Sequence, residues 1–455
     1  MDCPRKTPLH LGVPLSVQSA IGAYASVNKG PFAPGHLGEL TRIVSPDLVD
    51  AALEATGRTQ KRLRVLPSRV VVYLLLAAAL FAEIGYPQVW ARLVAGLDPD
   101  TVAWPGSSAL SQALRRVGAA PLRELFTLLR GPAAGGPRWR GLLVCAIDGT
   151  SMFVPNSAAN AAAFGRQIGR PDAESGYPML RLLTVVACGT RTVTDAVFGP
   201  YRIGETSYAP ALLRCVKPDM LLLADRNFAV TALVEQIAAA QAQVLIRCRD
   251  TRVLPPIKQL RDRSWLARMG SVTVRVIDAA ITVRLKGGAT RVGHYRLITR
   301  YPAHELVGLY HHRWEIETSY LELKSTILGG RVLRAATPAG ITQEVCALLI
   351  TYQALRTALA DATLARPDIG PDRLSFTIAL HAARDQLVHA AAAITEATVD
   401  LIGRIGTAVL NQPLPARRSR SSPRVVKRAI SKHRAKGTID RTNYTTAITI
   451  EILDG

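Results

Sequence analysis

Apolar residues recur at helical spacing between His36 and about Leu129, and Gly and Pro signals separate the runs. This pattern predicts five helices: Pro46–Ala55, Ser68–Ile84, Gln88–Ala95, Ser108–Val117 and Ala120–Leu129. The most apolar stretch, Val70–Tyr86, is short for a membrane span and contains Glu83, so we expect a buried helix. A helical module of this kind either docks a helix in a DNA groove or serves as a scaffold.

A Gly- and Pro-rich linker at 131–137 separates this module from a β-rich part of the chain. Apolar runs predict several strands there, with helices at Pro210–Val216 and Ala232–Gln241 between the later ones. The predicted strands are Gly141–Ile147, Met179–Cys188, Thr192–Val197, Met220–Ala224 and Val244–Cys248. Three strands followed by alternating helix and strand predict a mixed α/β sheet.

The sequence between 251 and 292 interrupts this pattern with alternating runs around a turn signal at Gly287–Gly288. We interpret it as a β-rich insertion. Beyond it, a strand is followed by one long helix that begins near Pro302 and ends at Gly329–Gly330. Apolar helices are predicted at Ile341–Thr363 and Leu374–Leu410, where they pack around the sheet.

The long helix contains YHHRWEIETSYLELK, in which Tyr310, Arg313, Glu317 and Lys324 lie at offsets of 0, 3, 7 and 14. At 3.6 residues per turn, these four side chains point within roughly 60° of one another. One acid between two cations suits a metal that meets phosphate, because the acid holds the ion and the cations hold the anion. The alternative is a solvated face with local ion pairs. Trp314, on the same helix, is expected in the core.

Two of the predicted strands end on an aspartate. Asp148 follows the first in the sequence AIDGT, and Asp225 follows the fourth in LLLADRNF. In open α/β sheets, functional groups collect at the carboxyl ends of strands, where the backbone opens into a crevice. The alternative is that each aspartate starts a turn or caps a helix. Together with Glu317, the pair favours a carboxylate triad that binds divalent metal.

The chain has 455 residues, and 56 Lys and Arg against 34 acids give it a net charge of +22. This balance indicates a polyanionic partner, and nucleic acid is the one it favours. Nine Lys and Arg lie within 417–436, a basic tail that either binds phosphates without reading sequence or only improves solubility. Six scattered cysteines without CxxC spacing predict neither a zinc site nor a disulfide framework, and we expect no signal peptide because the first residues lack its apolar run.

The spacing Tyr-x2-Arg-x3-Glu-x6-Lys resembles in full the signature of the fourth family of bacterial insertion-sequence transposases, which are of the DDE type. Asp148 and Asp225, in their local sequences, resemble the first and second catalytic aspartates of that family. The helical region at 36–129 is similar to its amino-terminal domain. The resemblance implies an α/β, ribonuclease-H-like mixed sheet with a β-rich insertion, preceded by an all-helical domain and followed by helices and a basic tail.

The resemblance also implies what the signature residues do. Asp148, Asp225 and Glu317 would be the catalytic residues and would bind two Mg²⁺ ions, for which Mn²⁺ would substitute, with Asp148 shared by both ions. Arg313 and Lys324 would hold phosphates beside the scissile bond.

Three further residues are candidate DNA contacts, Tyr310 from the resemblance and the other two from their positions in the chain. Tyr310 would hydrogen-bond a phosphate oxygen. Arg247, on the strand after Asp225, would position a phosphate, and ordinary surface charge is the alternative. Trp265, in the insertion, would stack on an extruded base, and a place in the core is the alternative.

The implied function is cut-and-paste transposition: metal-dependent cleavage at the terminal inverted repeats of an element and strand transfer into target DNA. The partners would be double-stranded DNA and a second copy of the chain, in the bacterial cytoplasm at the nucleoid and without a membrane. Two alternatives stay open. One is a non-mobile nuclease or a domesticated transposase with the same metal site, and the other is a DNA-binding protein without catalysis.

These patterns divide the chain into seven parts. They are a loose arm (1–35), a helical DNA-binding domain (36–130), the first part of the catalytic core (138–250), the insertion (251–292), the second part of the core (293–365), a helical region (366–412) and the basic tail (413–455).

Overall fold

The computed structural model describes residues 37–60, 65–95, 102–167, 176–389, 403–415 and 445–453. The predicted loose arm at 1–35 and most of the predicted basic tail, at 416–444, therefore lie outside the described residues. The described residues form a helical amino-terminal part, a large mixed sheet and further helices that pack on the sheet.

The described residues of the amino-terminal part form five α-helices, close to the predicted positions. They are α1 (Pro46–Ala55), α2 (Ser68–Leu80), α3 (Tyr86–Leu93), α4 (Ser107–Val117) and α5 (Ala120–Leu129). α1 begins where the Ser45 side chain accepts a hydrogen bond from the Leu48 backbone N–H and Pro46 takes the first helical position. α2 is buried along nearly its whole length, as predicted. No helix in the described ranges combines the length and the apolar character that a bilayer crossing requires.

One sheet of 11 strands runs through the rest of the described chain. In chain order the strands are β1 (Arg138–Trp139), β2 (Leu142–Phe153), β3 (Met179–Ala187), β4 (Val193–Pro200), β5 (Met220–Ala224), β6 (Gln243–Cys248), β7 (Lys258–Gln259), β8 (Trp265–Met269), β9 (Val272–Leu285), β10 (Thr290–Thr299) and β11 (Thr445–Ile452). The helices are α6 (Ala158–Phe164), α7 (Glu205–Leu212), α8 (Thr231–Ala239), α9 (Ala303–Leu309), α10 (Trp314–Leu321), α11 (Pro338–Leu364), α12 (Phe376–His389) and α13 (Gly403–Leu410).

The central strands lie in the order β4-β3-β2-β5-β6. β2, β5 and β6 are parallel, whereas β3 and β4 are antiparallel to their neighbours. α7 and α8 cover one face of these strands, and α10 and α11 cover the other, which explains why β2 and β5 are continuous apolar runs. The predicted mixed α/β sheet of the ribonuclease-H type is therefore confirmed.

The insertion at 251–292 is β-rich, as expected, but its strands do not form a separate sheet. β10 pairs antiparallel with β6, where Arg296 lies opposite Cys248, and β9, β8 and β7 follow outward. The β9–β10 hairpin turns at the predicted glycines, and Gly288 has a φ of +80°, which glycine adopts without strain. The insertion therefore extends the core sheet.

Residues 445–452 form β11, which pairs antiparallel with β9, so that Ile448 lies opposite Val283 and Ile450 opposite Ile281. The predicted basic tail at 413–455 includes these residues, and the structure corrects this boundary. The alternation in TTAITIEI is typical of a strand. The nine Lys and Arg at 417–436 dominate the composition of the segment and conceal this short alternating run.

α11 packs between the amino-terminal helices and the sheet. The Gln343 side-chain amide donates to the carbonyl oxygens of Leu114 and Gly118, at 2.9 and 2.8 Å. The Gln353 amide donates to the Gly131 carbonyl at 2.9 Å. One hydrophobic cluster runs from α1–α5 through α11 to the sheet. The linker at 131–137 therefore does not separate two independent cores.

Candidate active site

Asp148 and Asp225 lie at the same level on neighbouring parallel strands. The pairing of β2 with β5 ends at Ile147 and Ala224, and each aspartate is the next residue along its chain. β2 does not end at Asp148, as the sequence pattern predicts, but continues to Phe153. It does so because it keeps its antiparallel partner β3 after β5 has stopped. Both carboxylates are thus located at the carboxyl end of β5.

Asp225 also shapes the chain that follows β5. Its Oδ1 accepts a hydrogen bond from the Asn227 backbone N–H at 2.8 Å and so caps the short 3₁₀ turn Arg226–Phe228. The capping alternative is therefore realised at this residue. It is compatible with metal binding, because one carboxylate oxygen is enough for the cap.

The predicted long helix after Pro302 is present, but two of its turns are not α-helical. α9 is followed by a 3₁₀ turn at Tyr310–Arg313, then by α10, and then by a π-helical turn at Glu322–Ile327. We call residues 303–327 the signature helix. Because 3₁₀ and π turns do not have 3.6 residues per turn, the four signature residues do not form the straight stripe expected from a uniform helix. Gly329 and Gly330, both at positive φ, follow its end as predicted.

Arg313 connects two of the predicted catalytic carboxylates. Its Nη1 lies 3.6 Å from Asp148 Oδ2, and its Nη2 donates to Glu317 Oε1 at 3.0 Å. Glu317 stands at the solvent edge, with 36% of its side chain exposed, whereas Arg313 is largely buried. The helix thus contains a local ion pair, but its cation also reaches an acid on the sheet, which a merely solvated face would not provide.

Lys324 and Tyr310 contact the two strands that carry the aspartates. Lys324 Nζ donates to Thr150 Oγ1 at 3.1 Å, two residues beyond Asp148, and burial lowers the pKa of this lysine. The Tyr310 hydroxyl donates to the Ala224 carbonyl at 3.1 Å. Lys324 therefore lies beside the Asp148 strand, whereas Tyr310 is buried against β5 with its hydroxyl already hydrogen-bonded.

Burial raises the pKa of the Asp148 carboxyl to about 7. The Gly149 backbone N–H and the charge of Arg313 oppose this rise in pKa, and the negative charges of Asp225 and Glu205 add to it. Ionised Asp148 therefore carries a free-energy cost that a nearby cation would remove.

Three carboxylates from three elements suit a divalent metal that prefers oxygen ligands. In this conformation, and within the described ranges, no three acidic, histidine or cysteine side chains are close enough to share an ion. Arg313 instead supplies the positive charge between Asp148 and Glu317. Carboxylate oxygens are donors that suit Mg²⁺ or Mn²⁺, but these three carboxylates would hold such an ion only if the Arg313 guanidinium left its position between them.

The raised pKa of Asp148 predicts how the metal-free protein responds to pH. Protonated Asp148 contributes stability that is fully present below about pH 4 and is lost as the pH rises through about 7, because the folded state then contains a buried charge. Asp148→Asn lacks this charge. Its free energy of unfolding should match that of the wild type near pH 4 and exceed it at about pH 8 by up to about 4 kcal/mol. Urea unfolding in EDTA measures both values, and parallel pH profiles of the two proteins would contradict the prediction.

Glu205, at the start of α7, is a fourth carboxylate of the site, and the sequence did not reveal it. Its Oε1 accepts from Arg181 at 2.8 Å, and its Oε2 accepts from the Asn227 side chain at 2.9 Å. It lies over Gly149, where a Cβ atom would be 2.5 Å from Glu205 Oε1, so any other residue would displace the glutamate. The only local signal for this contact is the glycine that follows Asp148.

The two remaining predicted DNA contacts have different surroundings. The Arg247 guanidinium lies over the Tyr295 ring, 4.3 Å from its centroid. The Tyr295 ring in turn contacts the Tyr310 ring, which connects Arg247 to the site. Trp265 is only 3% exposed, and its indole N–H donates to the Leu254 carbonyl at 2.9 Å. Trp265 is thus placed in the core of the extended sheet, the alternative that the sequence left open, and its ring does not face solvent.

Trp314 is not in the core, where the helical pattern predicts it. Its side chain is 52% exposed, and the Arg313 guanidinium lies 5.3 Å from the ring centroid. The prediction assumed 3.6 residues per turn between Tyr310 and Trp314. The 3₁₀ turn between them has fewer residues per turn, so the Trp314 side chain points in a different direction from the one predicted. An exposed aromatic ring therefore stands beside Arg313.

Buried arginines hold the opposite side of the signature helix. Arg191, in the β3–β4 turn, pairs with Glu315, and its Nη1 donates to Glu322 Oε1 at 3.1 Å. Arg356 on α11 pairs with the same Glu322, which also accepts from the Tyr352 hydroxyl at 3.1 Å. Each buried charge has an opposite partner, as burial requires. This network fixes the helix against α11 and the β3–β4 turn.

Two family profiles match adjacent parts of the chain. “Insertion element 4 transposase N-terminal” matches residues 34–127, and “Transposase DDE domain” matches residues 139–354. The first match covers α1 to α4 and all but the last two residues of α5. The second covers every element that carries Asp148, Asp225 or Glu317.

Known proteins with similar sequences include two from Escherichia coli strain K12. “Transposase InsG for insertion sequence element IS4” is 28% identical over 412 residues, which are 84% of this chain and 90% of the relative. “Putative transposase InsZ” is 32% identical over 126 residues, which are 27% of this chain and 42% of the relative. Among solved structures, a piggyBac transposase synaptic complex with hairpin DNA gives a TM-score of 0.41 at 11% identity, over 86% of this chain and 87% of that chain. The two profiles and the likeness to InsG show that the chain belongs to the IS4 family of DDE transposases.

Proposed function

We propose that the chain uses Asp148, Asp225 and Glu317 to cleave DNA at the ends of a mobile element and to transfer the freed strands into target DNA. The observation that carries this proposal is the placement of both aspartates at one level of β2 and β5, with Glu317 joined to Asp148 through Arg313. Family membership makes the chain a DNA-cleaving and DNA-joining enzyme, and the geometry supports these three residues as its active site.

The proposed cofactors are two Mg²⁺ ions, with Mn²⁺ as a substitute. Asp148 would be a ligand of both ions, and Asp225 and Glu317 would each complete one site. Such ions activate the attacking oxygen and neutralise charge on the phosphodiester and on the leaving oxygen. The chain itself contributes three carboxylates from three elements, held in place by the sheet and by the signature helix.

Arg313 is proposed to change partners when DNA binds. Its guanidinium pairs with Asp148 and Glu317 in the structure, and cations bound by the same carboxylates would repel it. A DNA phosphate accepts a guanidinium with two parallel hydrogen bonds. Lys324 is the second proposed phosphate contact.

Arg247 and the exposed ring of Trp314 extend this proposed DNA contact surface. Tyr310 and Trp265 are omitted from it, because both are buried and hydrogen-bonded within the protein.

The proposed reaction is cut-and-paste transposition between terminal inverted repeats and a target, with a hairpin intermediate on the flanking end. Two element ends must be processed together, so the proposed active form is a homodimer on double-stranded DNA. The net charge of +22 supports such a partner. α1–α5 are proposed to bind element ends, and the basic residues at 417–436 to bind DNA without sequence preference. These activities would place the protein at the nucleoid in the bacterial cytoplasm.

Cleavage of a labelled duplex that carries the DNA flanking this gene tests the proposal. We expect cuts at defined positions with Mg²⁺ or Mn²⁺ and none with EDTA. Binding without cutting under any metal would overturn the proposal in favour of a DNA-binding protein without catalysis. Metal-dependent cuts without inverted repeats around the gene would instead indicate a non-mobile nuclease.

A further inference from the structure

The signature helix carries two buried tyrosines whose hydroxyls reach the two strands of the aspartates. Tyr310 donates to the carbonyl of Ala224, the residue before Asp225, at 3.1 Å. Tyr320 donates to the carbonyl of Asp148 itself, at 2.5 Å. Each tyrosine is less than a tenth exposed, at 9% and 7%. One helix is therefore tied to the backbone at both aspartates.

We propose that Tyr310 and Tyr320 are positioning residues that set Glu317 relative to Asp148 and Asp225. They would do so by anchoring the signature helix to β5 and β2 at the point where the two strands present their carboxylates. This inference rests on the proposed function, in which the three carboxylates act on common metal ions.

Both hydroxyls are suited to a permanent anchoring role. Burial raises the pKa of Tyr310 to about 12 and raises the pKa of Tyr320 well above its ordinary value, so both stay protonated donors near neutral pH. Thr184, which lies opposite Asp148 in the β2–β3 pairing, shares a hydrogen bond of 2.9 Å with the Tyr320 hydroxyl. Because the Tyr320 proton points to the Asp148 carbonyl, Thr184 is the donor in that bond. The resulting chain of hydrogen bonds is buried on β2, β3 and the helix.

Two anchors constrain the helix more than one would. Glu317 lies seven residues after Tyr310 and three before Tyr320, so the anchors stand on both sides of the carboxylate in sequence. Their two hydrogen-bond acceptors, the carbonyls of Ala224 and Asp148, lie on the neighbouring strands β5 and β2, which pair at Ala224 and Ile147. A helix held at one point can pivot, whereas a helix held at two points on two strands neither rotates nor slides freely. Mg²⁺ demands near-ideal octahedral geometry, so small shifts of a ligand carboxylate weaken the site.

A phosphate contact by Tyr310, which the family signature implies, would disturb this arrangement. The hydroxyl would have to leave the Ala224 carbonyl, and the ring would have to leave its edge-on contact with Tyr295, where the centroids are 6.5 Å apart. A buried carbonyl would then lose its donor, which is unfavourable. Anchoring and phosphate binding by Tyr310 therefore exclude each other and predict different kinetics.

Tyr310→Phe and Tyr320→Phe each remove one hydroxyl and keep the ring. For both variants, we expect kcat for cleavage to fall by about 10- to 100-fold, with KM for DNA unchanged. We also expect Mn²⁺ binding to the DNA-free protein, followed by electron paramagnetic resonance, to weaken by about tenfold or more. Tyr73→Phe is the matched control, because Tyr73 is fully buried and donates to the Val44 carbonyl at 2.8 Å in the amino-terminal part. It should match the wild type in all three measurements.

Two results would overturn the inference. One is wild-type kcat and Mn²⁺ binding in both tyrosine variants, as in Tyr73→Phe. The other is a raised KM for DNA with unchanged kcat in Tyr310→Phe, which would assign that hydroxyl to a phosphate. Thr184→Val, which weakens the Tyr320 anchor without changing the helix, should repeat the kcat loss if Tyr320→Phe folds poorly. If the wild type does not cleave at all, the proposed function fails, but the Mn²⁺ titration still decides on the anchors.

Discussion

Glu317→Gln should cleave DNA at least about 1000-fold more slowly than the wild type, a loss of about 4 kcal/mol in transition-state stabilisation. The neutral amide has the shape of the carboxylate, but it cannot balance the charge of divalent ions. Its oxygen still accepts the Arg313 hydrogen bond that Glu317 Oε1 accepts at 3.0 Å, so the helix should keep its place. DNA affinity should be unchanged or slightly higher, because one negative charge is lost. Single-turnover cleavage and fluorescence anisotropy measure the two effects separately.

Glu305→Gln is the matched control for this variant. Glu305 is an exposed acid on α9 that pairs with Arg140 at 2.8 Å, away from the two aspartates, and exposed ion pairs contribute little stability. Its cleavage rate should stay at the wild-type value. A Glu317→Gln protein that cuts within about tenfold of the wild type would remove Glu317 from the proposed metal site.

Replacing the nine Lys and Arg of 417–436 with Ser and Gln should make DNA binding much less sensitive to salt. Each phosphate contact contributes about 0.9 to the slope of log affinity against log salt, so the full set could reduce the slope by up to about 8. The reduction should be the same for element ends and for unrelated duplexes, because such contacts do not read sequence. Anisotropy titrations at several salt concentrations measure the slope.

Substitution is a better test of this segment than truncation. Deleting everything after Pro413 would also remove β11 and leave the edge of β9 unpaired, which invites aggregation. The matched control is replacement of Thr446 and Thr449 on exposed positions of β11, which should leave the slope unchanged. If the nine substitutions leave the slope at its wild-type value, the basic residues serve solubility rather than DNA binding.

Local sequence patterns were enough to predict many elements of this fold. α1, α5 and β5 have the predicted bounds, because helical periodicity, a proline in the first helical turn and a short apolar run all depend on neighbouring residues. The signature spacing located Glu317 and its cations for the same reason. The two aspartates could be singled out because each follows a buried apolar run.

Features that depend on residues distant in the sequence could not be predicted from local patterns. β2 continues past Asp148 because of β3, which lies more than 30 residues further along the chain. Trp314 is exposed because a 3₁₀ turn precedes it, and no local pattern distinguishes that turn from ordinary helix. Glu205 reaches Gly149 only after α7 has packed on the sheet. Sequence periodicity therefore predicted which residues matter better than it predicted how they face one another.

Because α11 packs on both the amino-terminal helices and the sheet, these two parts of the protein cannot be exchanged between related transposases independently. Its 27 residues pack on the amino-terminal helices and on the sheet at once, and Gln343 and Gln353 hydrogen-bond to carbonyl groups at the ends of α4 and α5. A chain cut at 131–137 would leave one fragment with an uncovered apolar helix and the other without its packing partner. A chimaera that borrows the first 130 residues of a relative would therefore need that relative's α11 as well. Retargeting by module exchange is more demanding here than the linker suggests.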